Sequence, residues 1–346
     1  MSSANAFRAD LSCRLVLALS TLAARAEQLP IHTYGPADGF PSKTVEAITR
    51  DSRGFLWFAT REGLAQFDGY EFRTYGKANG LPRDAVADFL ETRSGIYWAA
   101  TADGVAKFDP DAPPARKFTV YRPNRPVARR IHVLYEDRSA RVWCGTEDGL
   151  FLLKESKDKG SWLLDPVPLN LDSGRTPIDP RISSLFEDSH GNMWMGTIRA
   201  LYVRRRDGRV SEFQVSPREG YDFQWNAISE DSEGRLWAGT GFGLWRILPK
   251  ESDQYRLYPV FVPKRRLIIW SIRRHPAGGF WLGTSAGLMH WTPAPDGRSG
   301  EKRAFTQANG LTHSDVGAIA TDREENLWLG TTGGGVMRLA RNGFIT

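Results

Sequence analysis

The chain is poor in the residues that build cross-links, metal cages and nucleophilic sites. It has two cysteines, Cys13 and Cys144, in 346 residues. Cys13 falls in a leader-like start, so Cys144 is left alone, an internal disulfide is excluded, and Cys144 reads as a core residue. The six histidines (His32, His132, His190, His275, His290 and His313) are scattered, with none at metal-ligand spacing. There is no HExxH and no phosphate-cradling glycine loop, and no metal or other cofactor is expected. Charge of one sign is also lacking: 46 basic against 40 acidic side chains give a net charge of +6. The clusters Arg129-Arg130, Arg204-Arg205-Arg206 and Lys264-Arg265-Arg266 therefore read as solvated loops, and nucleic acid is not expected as a partner. Long apolar runs are missing too. Leu15 to Ala24 is too short to span a bilayer. With Arg8 and Arg14 before it and Ala24-Arg-Ala26 after it, it reads as a secretory signal over residues 1–26, leaving 27–346 as one domain.

What is abundant is a repeat. Asp51 to Asp68 reads as a turn, then Leu-Trp-x-small-Thr, then x-x-Gly-Leu and a short apolar strand. The tryptophan returns as Trp57, Trp98, Trp143, Trp194, Trp237, Trp281 and Trp328, at spacings of 41 to 51 residues. Thr60, Thr101, Thr146, Thr197, Thr240, Thr284 and Thr331 follow three residues later, each preceded by Gly or Ala. Asp51-Ser-Arg-Gly54 has tight-turn chemistry. Asp68-Gly69 signals a hairpin. The runs around them favour extended backbone. One unit is thus a four-stranded antiparallel meander, and a period of this length predicts a propeller.

Ile31-His-Thr-Tyr34 matches Phe72-Arg-Thr-Tyr75, so the N-terminal segment supplies a fourth strand without its first three. The C-terminal unit does the reverse. The expectation is an all-β, seven-bladed β-propeller of four-stranded antiparallel blades, closed by the N-terminal strand, which removes the exposed sheet edges. The tryptophans should fill the wedges between blades. Several units depart from the pattern: Thr92 replaces the turn Asp, Ala140 and Glu325 replace the turn Gly, Ala200 replaces a Gly, and Lys154 to Pro180 reads as a long surface loop.

The motif D-x-x-G-x-[LI]-W-x-G-T-x-x-G-L and the crossing loops Gly39-Phe-Pro, Gly80-Leu-Pro and Gly310-Leu-Thr resemble the two-component-regulator propeller repeat, over essentially all of 27–346. The resemblance implies the extracytoplasmic sensing part of a bacterial receptor. Its location would be periplasmic, its ligand a small molecule or oligosaccharide, and its partner a membrane-bound histidine kinase or diguanylate cyclase. No span, kinase or cyclase motif is present in this chain, so a truncated receptor, a split sensor or a free binding module would all fit.

Gly283-Thr-Ser285-Ala-Gly287 spells a nucleophile elbow but lies on the repeat template and leads into a strand, so catalysis is not expected. The face carrying the second-to-third-strand turns and the crossing loops is the expected binding face. The turns supply Arg61, Glu62, Asp103, Glu147, Asp148, Arg199 and Phe242. The crossing loops add Arg83, Arg130, Arg181, Trp225, Lys264 and Trp270, although Trp225 takes the slot of Val45 and Trp270 adjoins the equivalent Ile269, so both read as core before they read as ligand-stacking rings. Rings flanked by charges would suit a sugar, especially an acidic one. The alternatives are a propeller-based lyase or hydrolase and a non-catalytic scaffold.

Overall fold

The computed structural model describes residues 28–158, 160–171, 179–213, 223–249 and 255–341; the signal expected over 1–26 lies outside them. Seven four-stranded antiparallel sheets follow one another along the chain. In blade 1 the strands are Val45–Arg50, Leu56–Thr60, Gly63–Phe67 and Phe72–Tyr75. Blades 2 to 6 repeat this order, beginning at Val86, Ile131, Ser184, Trp225 and Ile269. Blade 7 takes three strands from 316–339, and its outermost strand is Ile31–Tyr34, paired antiparallel with Val336–Leu339. The first strands of successive blades pack against one another, and those of blades 7 and 1 also touch, so the circle closes. The expected seven blades and N-terminal closure are both present.

The wedges are filled as the indole repeat requires. Trp57 packs with Val86, Phe89 and Tyr97 of blade 2, and Trp328 packs with Val45, Ile48 and Phe58 of blade 1. Tyr34 of the closing strand stacks on Trp328 with centroids 5.2 Å apart. Each apolar cluster straddles two blades, so no blade buries its core alone. The small residue before each Thr has a clear cause at Gly145, where a Cβ would lie 2.6 Å from Val133 and 2.8 Å from Ile182 at the entry to the next blade.

The turn aspartates do more than their spacing indicates. Asp51 accepts hydrogen bonds from the Phe55 amide (2.8 Å) and the Trp57 indole (2.9 Å). The same indole-to-carboxylate bond recurs at Trp143–Asp137, Trp194–Asp188, Trp237–Asp231 and Trp328–Asp322, between 2.8 and 2.9 Å. In blade 2 Thr92 cannot serve both groups. Its hydroxyl accepts from the Ile96 amide, and the Trp98 indole N–H is buried without a partner among the described residues. Ala140 and Glu325 adopt the left-handed backbone of the glycines they replace, with φ of 60° and 64°. The loop expected from Lys154 to Pro180 is corrected in part. Trp162–Val167 is the outermost strand of blade 3, and its short apolar run pairs Trp162 to Glu155 and Val167 to Leu150.

Candidate functional site

Each repeated threonine closes the turn between second and third strands. Thr60 Oγ1 donates to the Gly63 carbonyl at 2.8 Å and accepts from the Glu62 amide at 3.2 Å. Thr101, Thr146, Thr197, Thr240 and Thr284 make the same donation three residues on. At Thr331 the extra glycine moves the acceptor to Gly335. This closure fixes the residue after the threonine beside the start of its blade's innermost strand. There, six of the seven blades carry a β-bulge, skipping Glu46, Ala87, His132, Asn226, Trp270 and Gly317. A bulge leaves its extra residue unpaired and re-aims its side chain. Because the innermost strands ring the axis and start on the crossing-loop face, these residues gather at the axial mouth on that face.

The mouth is built from paired charges and one indole. Arg61 Nε donates to Glu46 at 2.9 Å. His132 Nε2 lies 2.8 Å from Glu147, which also has Arg181 at 3.8 Å. Burial holds the His132 imidazole below its ordinary value despite the Glu147 carboxylate, so at neutral pH it is the neutral tautomer donating through Nε2. Trp270, half-buried, donates its indole N–H to Asp315 of blade 7 at 2.5 Å. The other Asp315 oxygen accepts from the Thr332 hydroxyl at 2.7 Å.

The remaining candidate residues spread outward. Glu62 accepts from the Ser42 hydroxyl in the crossing loop. Asp103 accepts from Arg122 at 3.0 Å, which holds its carboxyl below the usual range. Asp148 pairs with Arg125 at 2.9 Å. These three acids fasten turns to crossing loops. Phe242 lies against Phe223 with the Arg266 guanidinium over its ring, and Arg199 is exposed on the rim. Arg83, Arg130 and Lys264 are exposed. Trp225 is fully enclosed between Trp194 and Phe223, so of its two readings the core one accounts for it, and no ring face is open to a ligand. Ser285 is occupied by backbone, its Oγ accepting from the Ile268 amide at 3.1 Å. Sequence reasoning missed Glu46, His132 and Asn226; the position just after the first apolar residue of each innermost strand is the signal that would have found them.

Comparison with known proteins agrees with this architecture. The two component regulator propeller family matches residues 39–62, 176–199 and 224–242. A comparison with curated proteins finds no match. Among solved structures, the chain is similar to the extracellular domain assigned to the hybrid two component system BT3049 of B. thetaiotaomicron. The identity is 23%, the TM-score is 0.69, and the match covers 90% of this chain and 42% of that one. A second extracellular domain from the same organism, of BT4673, matches at 18% identity and a TM-score of 0.68, over 91% of this chain and 40% of that one. The chain thus spans less than half the length of those two structures. It is also similar to virginiamycin B lyase from Staphylococcus aureus, at 14% identity and a TM-score of 0.64, over 90% of this chain and 99% of the lyase. These likenesses, each under 25% identity, speak for the fold, and the family match speaks for the repeats. The chain is a seven-bladed β-propeller in which three stretches match the two component regulator propeller model.

Proposed function

We propose that this ring is the extracytoplasmic ligand-binding module of a bacterial two-component-type signalling system, carried to the periplasm by a signal over residues 1–26. Its ligand is a sugar or short oligosaccharide taken at the axial mouth and left chemically unchanged. The observation that carries this reading is the mouth itself. A half-buried indole, Trp270, is fixed by Asp315, and the bulges of other blades set Glu46, His132 and Asn226 at the same end of their innermost strands. An aromatic face with hydrogen-bonding neighbours suits a pyranose, which has both C–H faces and hydroxyl edges. The output would pass to a membrane-bound histidine kinase or diguanylate cyclase. Support for binding without turnover comes from the pairing of the mouth's acids and bases, since Glu46, Glu147 and Asp315 each already hold a donor.

The likeness to a lyase of nearly full matched length favours one second reading, a propeller lyase. One experiment separates the two. The purified chain is screened by thermal shift against neutral and acidic oligosaccharides, and the mixtures are checked for product. At a concentration of 100 Kd, binding adds about 2.7 kcal/mol to stability, a clear rise in Tm. Trp270→Ala should abolish that rise while the unliganded chain stays folded. No shift with any glycan would remove the carbohydrate reading, and product formation would favour the lyase.

A further inference from the structure

The opposite face carries a second feature, unrelated to the mouth. In six blades, the third-strand residue paired with the start of the second strand is apolar and buried: Phe67, Phe108, Leu153, Ile247, Trp291 and Leu339. In blade 4 that position is Arg204, paired with Met193. The repeat therefore places a guanidinium where its own packing calls for hydrocarbon. A rule kept six times and broken once, with an energetically costly residue, marks a position retained for something other than folding.

The surroundings indicate what that is. Arg204 lies at the wall of a cleft of about 430 Å³ between blades 3 and 4, also lined by Arg138, Arg141, Arg206 and His190. Arg141 and Arg204 both lie over the Trp143 ring, at 5.1 and 5.7 Å from its centroid. The Arg204 Nε is buried with no hydrogen-bond partner among the described residues. Burial and the like charge of Arg141 both hold the Arg204 guanidinium below its ordinary value. The two acids of the cleft are already engaged. Asp137 accepts from the Trp143 indole and from Arg141 at 2.6 Å, and Glu187 accepts from the Arg138 amide at 2.7 Å. The cleft thus holds an excess of guanidinium groups in a partly desolvated setting, where charge-assisted bonds to an oxyanion are strongest.

We propose that the Arg204 cleft is an anion site, which takes a phosphate or sulfate group borne by a small molecule. The cleft is larger than the oxyanion alone and has room for a body of sugar size beside Trp143. An oxyanion beside Arg204 and Arg141 would offset the positive charge gathered over the Trp143 ring.

The test titrates the full chain with sodium phosphate, sodium sulfate and sodium chloride at matched ionic strength, reading Tm and heat of binding. Phosphate or sulfate should stabilise in a saturable manner that chloride does not reproduce. Arg204→Leu restores the residue type of the other blades, so it should fold with equal or higher Tm, and it should weaken oxyanion binding at least tenfold. Arg206→Gln, at the cleft's open side, should weaken it by a smaller factor. Comparing sugar phosphates with sugar sulfates then tells which group is preferred. Equal response of the wild type to all three salts, or unchanged binding in Arg204→Leu, would overturn the proposal. Neither outcome bears on the axial mouth, where none of these residues lies.

Discussion

The unit of this structure is a carboxylate holding an indole. Asp231 shows it most fully: one oxygen takes the Arg235 and Glu233 amides, and the other takes the Trp237 indole and the Arg235 guanidinium. Burial alone would raise this carboxyl, but the Arg235 and Trp237 bonds outweigh burial and hold it below its ordinary value. A carboxyl depressed by folding contributes its stability fully above its unfolded value near 4, and loses it as pH falls through the lower folded value. Stability should therefore decline below about pH 4. Asp231→Asn should flatten that decline by a fraction of a proton in the pH dependence of unfolding free energy, while lowering stability at pH 7 by about 3 kcal/mol. Blade 2 offers the converse experiment. Because Thr92 leaves the Trp98 indole unpartnered, Thr92→Asp should supply the missing acceptor and raise stability by about 1 kcal/mol in urea unfolding. A loss would mean that the carboxylate cannot be accommodated at this 6% exposed position.

At the scale of turns and strands, the sequence was readable wherever chemistry repeats. Asp-x-x-Gly announced the hairpins, and the drift residues confirm the turn by obeying it at a cost. Ala140 accepts φ of 60° where all six other blades place a residue with positive φ at the same turn, five of them as glycine at Gly54, Gly95, Gly191, Gly234 and Gly278. Left-handed backbone costs a non-glycine residue about 1–2 kcal/mol. Ala140→Gly should recover roughly half of that after the added chain entropy of glycine, as a rise in urea midpoint at constant slope. What could not be read is informative as well. The bulges that turn Glu46, His132 and Trp270 toward the mouth leave no mark in hydrophobic alternation, because one skipped residue shifts register without changing composition. The acids Asp103 and Asp148 looked free in sequence because their partners, Arg122 and Arg125, both come from the irregular crossing loop between blades 2 and 3. The outer strand Trp162–Val167 was hidden in a stretch rich in turn residues.

For the whole molecule, the ring is one cooperative body because every apolar cluster belongs to two blades. Its seam is where Ile31–Tyr34 pairs with Val336–Leu339, and the axial mouth depends on that circle being shut. The register at the seam sets His32 opposite Arg338. The most direct test is a disulfide across it, with His32→Cys and Arg338→Cys in a Cys13→Ser background, followed by mild oxidation and peptide mass mapping of the folded monomer. Cys144 is fully buried and its thiol is pushed well above the ordinary value, so it stays silent. Closure by the N-terminal strand predicts near-complete intramolecular coupling of residues 32 and 338 with no loss of Tm. Free thiols at both positions, or coupling only between separate molecules, would contradict it.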